Sequence, residues 1–468
     1  MKSSFSNNLN CHILSLNDMG YLKKLNSKYL RFKLKHSPQQ NLFYGFLMYI
    51  VVGFILLSLP IFQKTSAPFL DHLFTATSAV STTGLVTISI FDSYNFGGQF
   101  IIMLLFQLGG IGYLTFTTFM LLSTTKRITR WHKAILNSEF TLPISIKIKD
   151  FLKSVIIFTT IMEVIGAILF FIAFKMDGMD NYPALWNAIF HSVSAFCTAG
   201  FSLFNSGFTD YVGNGFVNFI ISFLAIGGSL GFIVVTDFVL WFKNKTHKLS
   251  FTTKIILIGL SILLSIAFLF FYFYEPSITN LAGSTRAYAA FFQAMSAMTT
   301  VGFNTLDFGS FTTPILIATV FLMYIGASPS GTAGGLKITT LTAVFSIIKS
   351  RLRGRQQITF FGRVIPLERL YIATSSFIFY TSLIFLGIFI LTFSEDFNLE
   401  KIIFEVASAL GTVGISMGIT GDLSAVGKIT IILLMFIGRL GVLTFGLAIW
   451  SRSIAENEHT TIEGDIAV

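Results

Sequence analysis

A short pattern occurs four times in this chain, and it constrains the fold more than any other feature. Each copy reads Phe, three residues, Ser-Ala, two residues, Thr, one residue, Gly. The copies end at glycines that are 116, 102 and 112 residues apart, namely Gly84, Gly200, Gly302 and Gly414. Internal repetition at near-even spacing indicates an array of similar structural units. The sequence therefore predicts four repeats, each built around one copy of this motif.

The composition indicates a membrane protein. Of the 468 residues, 53% are hydrophobic and 12% are charged, whereas soluble domains carry about 25% charged residues. A helix that crosses a bilayer needs about 20 mostly apolar residues. Runs of this kind are expected at 41–60, 98–123, 153–174, 213–242, 253–274, 311–348, 370–393 and 424–450. We therefore predict eight transmembrane helices in four pairs.

The segments before the four glycines are semi-apolar but too short to cross a bilayer. They cover residues 69–80, 183–196, 286–298 and 399–410. We expect each to form a re-entrant pore helix, because irregular backbone at membrane depth is tolerated where it lines a water-filled cavity. The predicted fold class is an all-α membrane protein of four fused helix–pore-loop–helix repeats, with pseudo-fourfold symmetry around one pore.

The distribution of charge predicts the orientation in the membrane. The net charge is +10, and Lys and Arg concentrate in the N-terminal segment and in three connections between repeats. This is the positive-inside pattern, so both termini are predicted to be cytoplasmic and the chain to lie in the plasma membrane. It also accounts for the charge without a nucleic-acid partner. The repeats are expected at 41–123, 150–242, 253–348 and 369–450, flanked by cytoplasmic segments 1–40 and 451–468.

Four glycines in register suggest a selectivity filter. A filter for a dehydrated alkali cation is a ring of backbone carbonyls that replaces the hydration shell, and here it would hold a potassium ion. Glycine adopts the backbone conformations that such a ring requires without steric cost. A threonine stands two residues before each glycine and either adds a hydroxyl or packs the pore helix. These threonines are Thr82, Thr198, Thr300 and Thr412.

Other residues in the repeats are assigned supporting roles. Three polar side chains follow the shared Phe of the motif and are expected to anchor the filter by hydrogen bonding, namely His191, Gln293 and Glu405. Thr75 holds this position in the first repeat. Glycines in the second helices are expected to permit close helix packing, namely Gly109, Gly227, Gly326 and Gly438.

The second helix of the third repeat differs from the other three. Residues 326–335 hold four glycines and a proline, which cannot continue a regular helix comfortably. We predict two half-helices that flank a flexible loop at membrane depth, and Lys337 ends this loop. In the fourth repeat, Arg439 lies inside an otherwise uncharged span, where an arginine is costly and is a functional candidate by default.

The four glycines and the helix–pore–helix array resemble the Trk/Ktr/HKT superfamily of potassium transporters, over about residues 41–450. Eight spans resemble the Ktr membrane, ion-translocating subunit rather than bacterial Trk. The resemblance implies that loop 326–335 lies beneath the filter and gates the pore, and that Arg439 faces the loop. The implied gate residues are Gly326, Ser328, Pro329, Ser330, Gly331, Gly334, Gly335, Lys337 and Arg439.

The resemblance also implies partners. The membrane subunit would form a homodimer, with one pore in each protomer, and would contact a cytoplasmic ring of nucleotide-binding RCK-type subunits. Nucleotide control would come only through that partner, since the sequence shows no GxGxxG-bearing soluble domain. No covalently bound cofactor is expected.

The predicted function is potassium uptake, as a transporter or symporter rather than an enzyme, and dependence on sodium stays open. The alternatives are a sodium or mixed-cation transporter of the same superfamily, and a secondary transporter with alternating access. Against alternating access, the four repeats run in the same direction. A membrane-embedded enzyme is disfavoured because no span carries His, Asp, Glu or Cys at catalytic or metal-ligand spacing.

Overall fold

The computed structural model describes residues 36–112, 148–243 and 248–450, and these residues are mainly helical. The predicted N-terminal segment, apart from residues 36–40, lies outside this range. The same is true of residues 113–123 of the first repeat and of the C-terminal segment 451–468.

Each repeat contains a first helix, a short helix that carries the motif, and a second helix. The first helices are Pro38–Leu57, Ile148–Met176, Phe251–Tyr274 and Leu367–Ser394. The short helices, called motif helices below, are Phe69–Val80, Asn181–Phe196, Gly283–Thr299 and Leu399–Gly411. Their bounds agree with the predicted pore helices to within three residues. Extended chain follows each motif helix and leads to the second helix.

The second helices are shorter or broken. They are Phe96–Ile111, Gly215–Ser229 with Phe232–Lys243, Thr313–Tyr324 with Ile338–Leu352, and Ala425–Leu440 with Val442–Trp450. The minor elements are Ile90–Ser93, Pro276–Thr279, four single-turn 3₁₀ helices and an antiparallel pair of strands, Thr359–Phe360 and Arg363–Val364. Within the described ranges, four helices are long and apolar enough to cross a membrane, and up to six if each bent pair counts as one span. The chain is therefore built as a membrane protein.

The expectation that only the third repeat has an interrupted second helix was wrong. The second helices of the second and fourth repeats bend by 88° and 98° at short breaks. Gly231 and Gly441 lie at these breaks with φ of +86° and +88°. Gly112, with φ of +85°, ends the corresponding helix of the first repeat. A left-handed glycine cannot continue an α-helix, so the second helices of the first, second and fourth repeats stop at these residues.

Glycines in the second helices allow them to approach the ends of the motif helices. A Cβ on Gly109 would lie 2.1 Å from the Val80 carbonyl oxygen, and one on Gly438 would lie 2.1 Å from that of Leu410. In the second repeat this contact belongs to Gly228, 2.0 Å from the Phe196 oxygen. The glycine that corresponds to Gly109 and Gly438 in this contact is therefore Gly228, the residue after Gly227.

The other two glycines of that set have different neighbours. Gly227 faces the tip of the Met162 side chain on the first helix of its repeat. A Cβ on Gly326 would meet the Gly334 carbonyl oxygen instead of a motif helix. Gly326 thus packs against its own loop, because the loop takes the space that a motif helix end occupies elsewhere.

Carboxylates fasten the elements of the third and fourth repeats. Glu275, at the end of a first helix, accepts hydrogen bonds from the backbone N–H and the hydroxyl of Thr312 at 3.1 and 3.0 Å. Glu395 bonds Ser424 in the same way at 3.0 and 2.5 Å. Charge-assisted bonds of this kind are stronger than neutral ones. They fix where each second helix begins.

Gly228→Ala is expected to lower the stability of the protein by about 1–3 kcal/mol, because the added methyl group collides with backbone that cannot move aside. Gly227→Ala is the matched control, since its methyl group meets only the flexible Met162 tip. The measurement is the thermal melting temperature of the purified protein in detergent. Equal melting temperatures for the two variants would contradict the packing described here.

Candidate functional site

The four motif glycines meet in a closed ring. A Cβ on Gly84 would lie 2.6 Å from the Ala199 carbonyl oxygen and 3.0 Å from the Gly200 Cα. Gly200 stands in the same relation to Gly302, Gly302 to Gly414, and Gly414 to Gly84. All four have positive φ, between +68° and +93°. A side chain is excluded at each position by both space and conformation. We call this arrangement the glycine ring.

The threonines two residues before the glycines also adopt left-handed backbone, with φ between +49° and +56°. This is uncommon for a β-branched residue and ends each motif helix beside the ring. All four threonines are fully buried. The hydroxyls of Thr82, Thr198 and Thr412 have no hydrogen-bond partner, whereas the Thr300 hydroxyl accepts a bond from the Gly334 N–H at 2.9 Å.

The serine of the motif fastens each glycine segment to its motif helix. Ser78 and Ser408 accept hydrogen bonds from the N–H of Gly84 and Gly414, both at 3.1 Å. In the other two repeats the serine donates to the residue after the glycine. Ser194 donates to the Phe201 carbonyl at 2.8 Å, and Ser296 donates to the Phe303 carbonyl at 2.5 Å. Sequence reasoning placed these serines in the motif but gave them no role.

All three predicted support residues contact the chain that leaves the ring, and His191 and Glu405 do so through hydroxyl groups. His191 Nε2 lies 3.1 Å from the Ser202 hydroxyl. Glu405 accepts from the hydroxyls of Ser416 at 2.7 Å and Thr420 at 2.5 Å.

Gln293 makes the equivalent contact in the third repeat, whereas the first repeat differs. With its amide group turned so that oxygen and nitrogen both find partners, Gln293 accepts from the N–H of Thr305 at 3.2 Å and of Leu306 at 2.7 Å. The Thr75 hydroxyl instead donates to the Asp71 carbonyl of its own helix at 2.8 Å. Three of the four repeats therefore hold the outgoing chain through this position.

The second helix of the third repeat is interrupted, as predicted. The interruption is loop 325–337, which lies between Thr313–Tyr324 and Ile338–Leu352. The two ends of the loop are joined, since the Leu336 N–H donates to the Tyr324 carbonyl at 3.1 Å and the Ile338 N–H to the Ala327 carbonyl at 3.0 Å. Gly326 and Gly335 pack against each other at this neck.

The first half of the loop contacts the break in the second helix of the second repeat. Ser330 accepts two hydrogen bonds there. Its carbonyl accepts from the Phe232 N–H and its hydroxyl accepts from the Ile233 N–H, both at 3.1 Å. The Ser328 N–H donates to the Ser229 carbonyl at 3.3 Å. This contact leaves no room for a side chain on Gly231 or Gly331. A Cβ on Gly231 would lie 2.7 Å from the Pro329 carbonyl oxygen. Sequence reasoning missed Gly231 because a single glycine in an apolar run gives no distinct signal.

The second half of the loop lies directly against the threonines and the ends of the motif helices. A Cβ on Gly334 would lie 2.0 Å from the Thr412 hydroxyl oxygen and 2.2 Å from the Gly411 carbonyl oxygen. Thr332 donates its hydroxyl to the Phe196 carbonyl at 3.2 Å and its N–H to the Gly228 carbonyl at 3.1 Å. The loop therefore contacts three of the four repeats.

Two cations bind the loop carbonyls. The Lys337 ammonium donates to the carbonyls of Ala333 at 2.6 Å and Gly334 at 2.9 Å. The Arg439 guanidinium donates to the Thr332 carbonyl, and on its other side to the Gly109 and Gly110 carbonyls, the latter at 3.1 Å. Arg439 thus links the loop to the end of the second helix in the first repeat. Both cations satisfy carbonyl groups that the broken helices leave without helical partners.

A cavity of about 180 Å³ adjoins the loop. It is lined by glycines that include Gly112 and Gly441, by Lys337 and Arg439, and by the apolar side chains of Leu42, Phe46 and Phe232. Gly334 thus lines this cavity and also contacts Thr412 of the motif.

Glu405→Ala is expected to destabilise the protein by about 1–3 kcal/mol, because the Ser416 and Thr420 hydroxyls lose their buried acceptor. Glu405→Gln retains one acceptor oxygen, so its stability is expected to lie between that of Glu405→Ala and that of the wild type. The melting temperature in detergent measures this order. A Glu405→Ala protein as stable as wild type would contradict the anchoring role.

Comparison with known proteins agrees with this geometry. Residues 24–455 match the family described as TrkH, cation transport protein. The chain is 36% identical to the Ktr system potassium uptake protein B of Bacillus subtilis over 424 residues, 89% of this chain and 93% of that protein. It is 34% identical to the potassium/sodium uptake protein NtpJ of Enterococcus hirae, over 88% of this chain and 93% of the relative.

The fold has a solved counterpart. The crystal structure of the potassium transporter TrkH from Vibrio parahaemolyticus superposes with a TM-score of 0.65 at 20% identity, covering 86% of this chain and 84% of the other. The family match spans most of the chain and the first two relatives align over nearly their full length. The chain belongs to the TrkH family of cation transport proteins.

Proposed function

We propose that this protein takes up potassium across the plasma membrane through a channel-like pore whose selectivity filter is the glycine ring. The observation that carries the proposal is the ring itself, where four distant backbone segments meet without room for side chains. Potassium uptake is also the activity named for the Bacillus subtilis relative.

The chemistry of the ring suits a dehydrated cation. Backbone carbonyls of the motif would replace water around a potassium ion, as in other carbonyl-lined filters. Each motif helix ends at the ring, so four helix C-termini bring their partial negative charge to one place. The buried hydroxyls of the motif threonines add further oxygen atoms beside the ring.

The proposed architecture has eight spans in four repeats with pseudo-fourfold symmetry. The closed order of the glycines, from the first repeat to the fourth and back, supports it. Four long helices and two bent pairs provide six spans, and the shorter apolar helices Phe96–Ile111 and Thr313–Tyr324 contribute to the other two. The basic segments favour a cytoplasmic location for both termini by the positive-inside rule.

Loop 325–337 is the proposed gate. It packs against the Thr412 hydroxyl oxygen and the end of the motif helix of the fourth repeat, and Arg439 and Lys337 hold it there. The positive charges of Arg439 and Lys337 also raise the electrostatic energy of a potassium ion that lies beside the loop. Displacement of the loop would open a path between the ring and the cavity of about 180 Å³.

A mixed sodium and potassium transporter is the second candidate, favoured by the similarity to NtpJ, whose name includes both ions. The same ring would serve it with weaker discrimination, and sodium would then be a co-transported or stimulating ion. The homodimer, the RCK-type ring and nucleotide control through that ring remain part of the proposal. The names of the Ktr relatives, which denote a system, support a further subunit.

Gly302→Ser is expected to reduce the preference for potassium over sodium towards parity, because its Cβ would lie 2.2 Å from the Val413 oxygen at a φ of +80°. Gly418→Ser is the matched control, with a φ of +84° and no heavy atom near its Cβ. The measurement is radioactive Rb⁺ uptake in proteoliposomes with competing K⁺ or Na⁺. Sustained uptake with unchanged ion preference in Gly302→Ser would rule out the filter assignment.

Deletion of residues 330–333 is expected to raise Rb⁺ uptake by about tenfold or more, because the loop is held by several hydrogen bonds of about 1 kcal/mol each. Deletion of the exposed residues 354–356 controls for chain shortening. Initial uptake rates in proteoliposomes measure the effect. Equal rates for the loop deletion and wild type would reject the loop as a gate.

A further inference from the structure

One threonine of the motif differs from its three equivalents. Thr82, Thr198 and Thr412 have buried hydroxyls without a hydrogen-bond partner. The Thr300 hydroxyl accepts a bond from the Gly334 N–H at 2.9 Å. The backbone conformation is the same, since Thr82 and Thr300 have φ of +51° and +56°. The hydrogen bond to the loop therefore distinguishes Thr300 from the other three.

The position of Gly334 leaves little freedom in this contact. A Cβ there would collide with the Thr412 hydroxyl oxygen at 2.0 Å. The Ala333 carbonyl belongs to the same peptide group as the Gly334 N–H, and Lys337 donates to this carbonyl at 2.6 Å. The peptide at this point is thus fixed on both sides, and its N–H is aimed at Thr300.

We propose that the Thr300 hydroxyl is the latch that holds loop 325–337 against the glycine ring. The inference rests on the proposed function, in which the loop gates and the ring selects. Thr300 is then a positioning residue for the gate. In the closed arrangement the loop N–H occupies one of the two acceptor lone pairs of this hydroxyl.

The latch makes the loop and the ion compete for the same oxygen. When the loop leaves, the Thr300 hydroxyl becomes unpaired like the other three, and a buried unpaired hydroxyl is unfavourable. A potassium ion beside the four hydroxyls offsets this cost. Because coupling between two binding events is reciprocal, potassium favours the displaced loop and the closed loop disfavours potassium at this level.

Cysteine labelling tests the latch directly. Ala333→Cys is introduced into a protein whose two native cysteines are replaced, by Cys11→Ser and Cys197→Ser. Serine is a suitable replacement for Cys197, because Ser81 holds the equivalent position in the first repeat. Ala333 is buried beside the cavity, so a thiol reagent reaches it only when the loop moves. Labelling rate and Rb⁺ uptake are measured together in proteoliposomes.

Three variants are compared in this background. Thr300→Val keeps the side-chain shape and removes the acceptor, and about a fivefold rise in labelling rate and uptake is expected for one lost hydrogen bond. Thr300→Ser restores the acceptor and is expected to label as slowly as the parent. Thr82→Val carries the same backbone strain but has no bond to the loop, so in choline without K⁺, where no ion occupies the ring, its labelling rate is expected to equal that of the parent.

Several outcomes would overturn the latch. Equal labelling of Thr300→Val and Thr82→Val would do so, as would fast labelling of Thr300→Ser. A second measurement needs no change at Thr300: rising K⁺, with choline as the balancing ion, is expected to speed labelling in the parent, and a flat response contradicts the proposal. If deletion of residues 330–333 raises uptake while Thr300→Val labels slowly, the latch fails and the gate stands.

Discussion

The structure depends on four backbone segments that meet so closely that none has room for a side chain. Each motif glycine lies against the carbonyl of the next repeat, and the fourth closes onto the first. The left-handed threonine, the buried serine and the polar residue after the shared phenylalanine all serve to bring the chain into this position. The glycines of the second helices then let those helices close around the ends of the motif helices.

Departures from fourfold repetition concentrate on one side of this ring. The third repeat inserts loop 325–337 where the second and fourth repeats have a short break at a glycine. The loop has contacts with every repeat. Phe196, Thr300 and Thr412, from the second, third and fourth repeats, contact it directly, and Arg439 connects it to the first repeat. Under the proposed function, what the repeats share selects the ion and what the third repeat adds controls its passage.

The sequence predicted the features that repeat and those that are costly in a membrane. The motif predicted the positions of all four short helices. The cost of a charge in an apolar span indicated that Arg439 has a specific role, and the structure shows its carbonyl partners. Single-residue features gave no comparable signal. A lone Gly231 or Gly441 reads as ordinary helix packing, and the choice between Gly227 and Gly228 depends on rotation of the helix about its axis. The contact between Gly334 and Thr300 joins distant segments, so only three-dimensional structure places them together.

Ion competition on the wild-type protein tests the central claim most directly. Rb⁺ uptake is measured in proteoliposomes while K⁺ or Na⁺ is added at increasing concentration outside. A ring of carbonyls fitted to a dehydrated potassium ion predicts that K⁺ suppresses Rb⁺ uptake at a lower concentration than Na⁺ does. Equal suppression by the two ions, or suppression by Na⁺ at the lower concentration, would contradict the assignment of the glycine ring as a potassium filter.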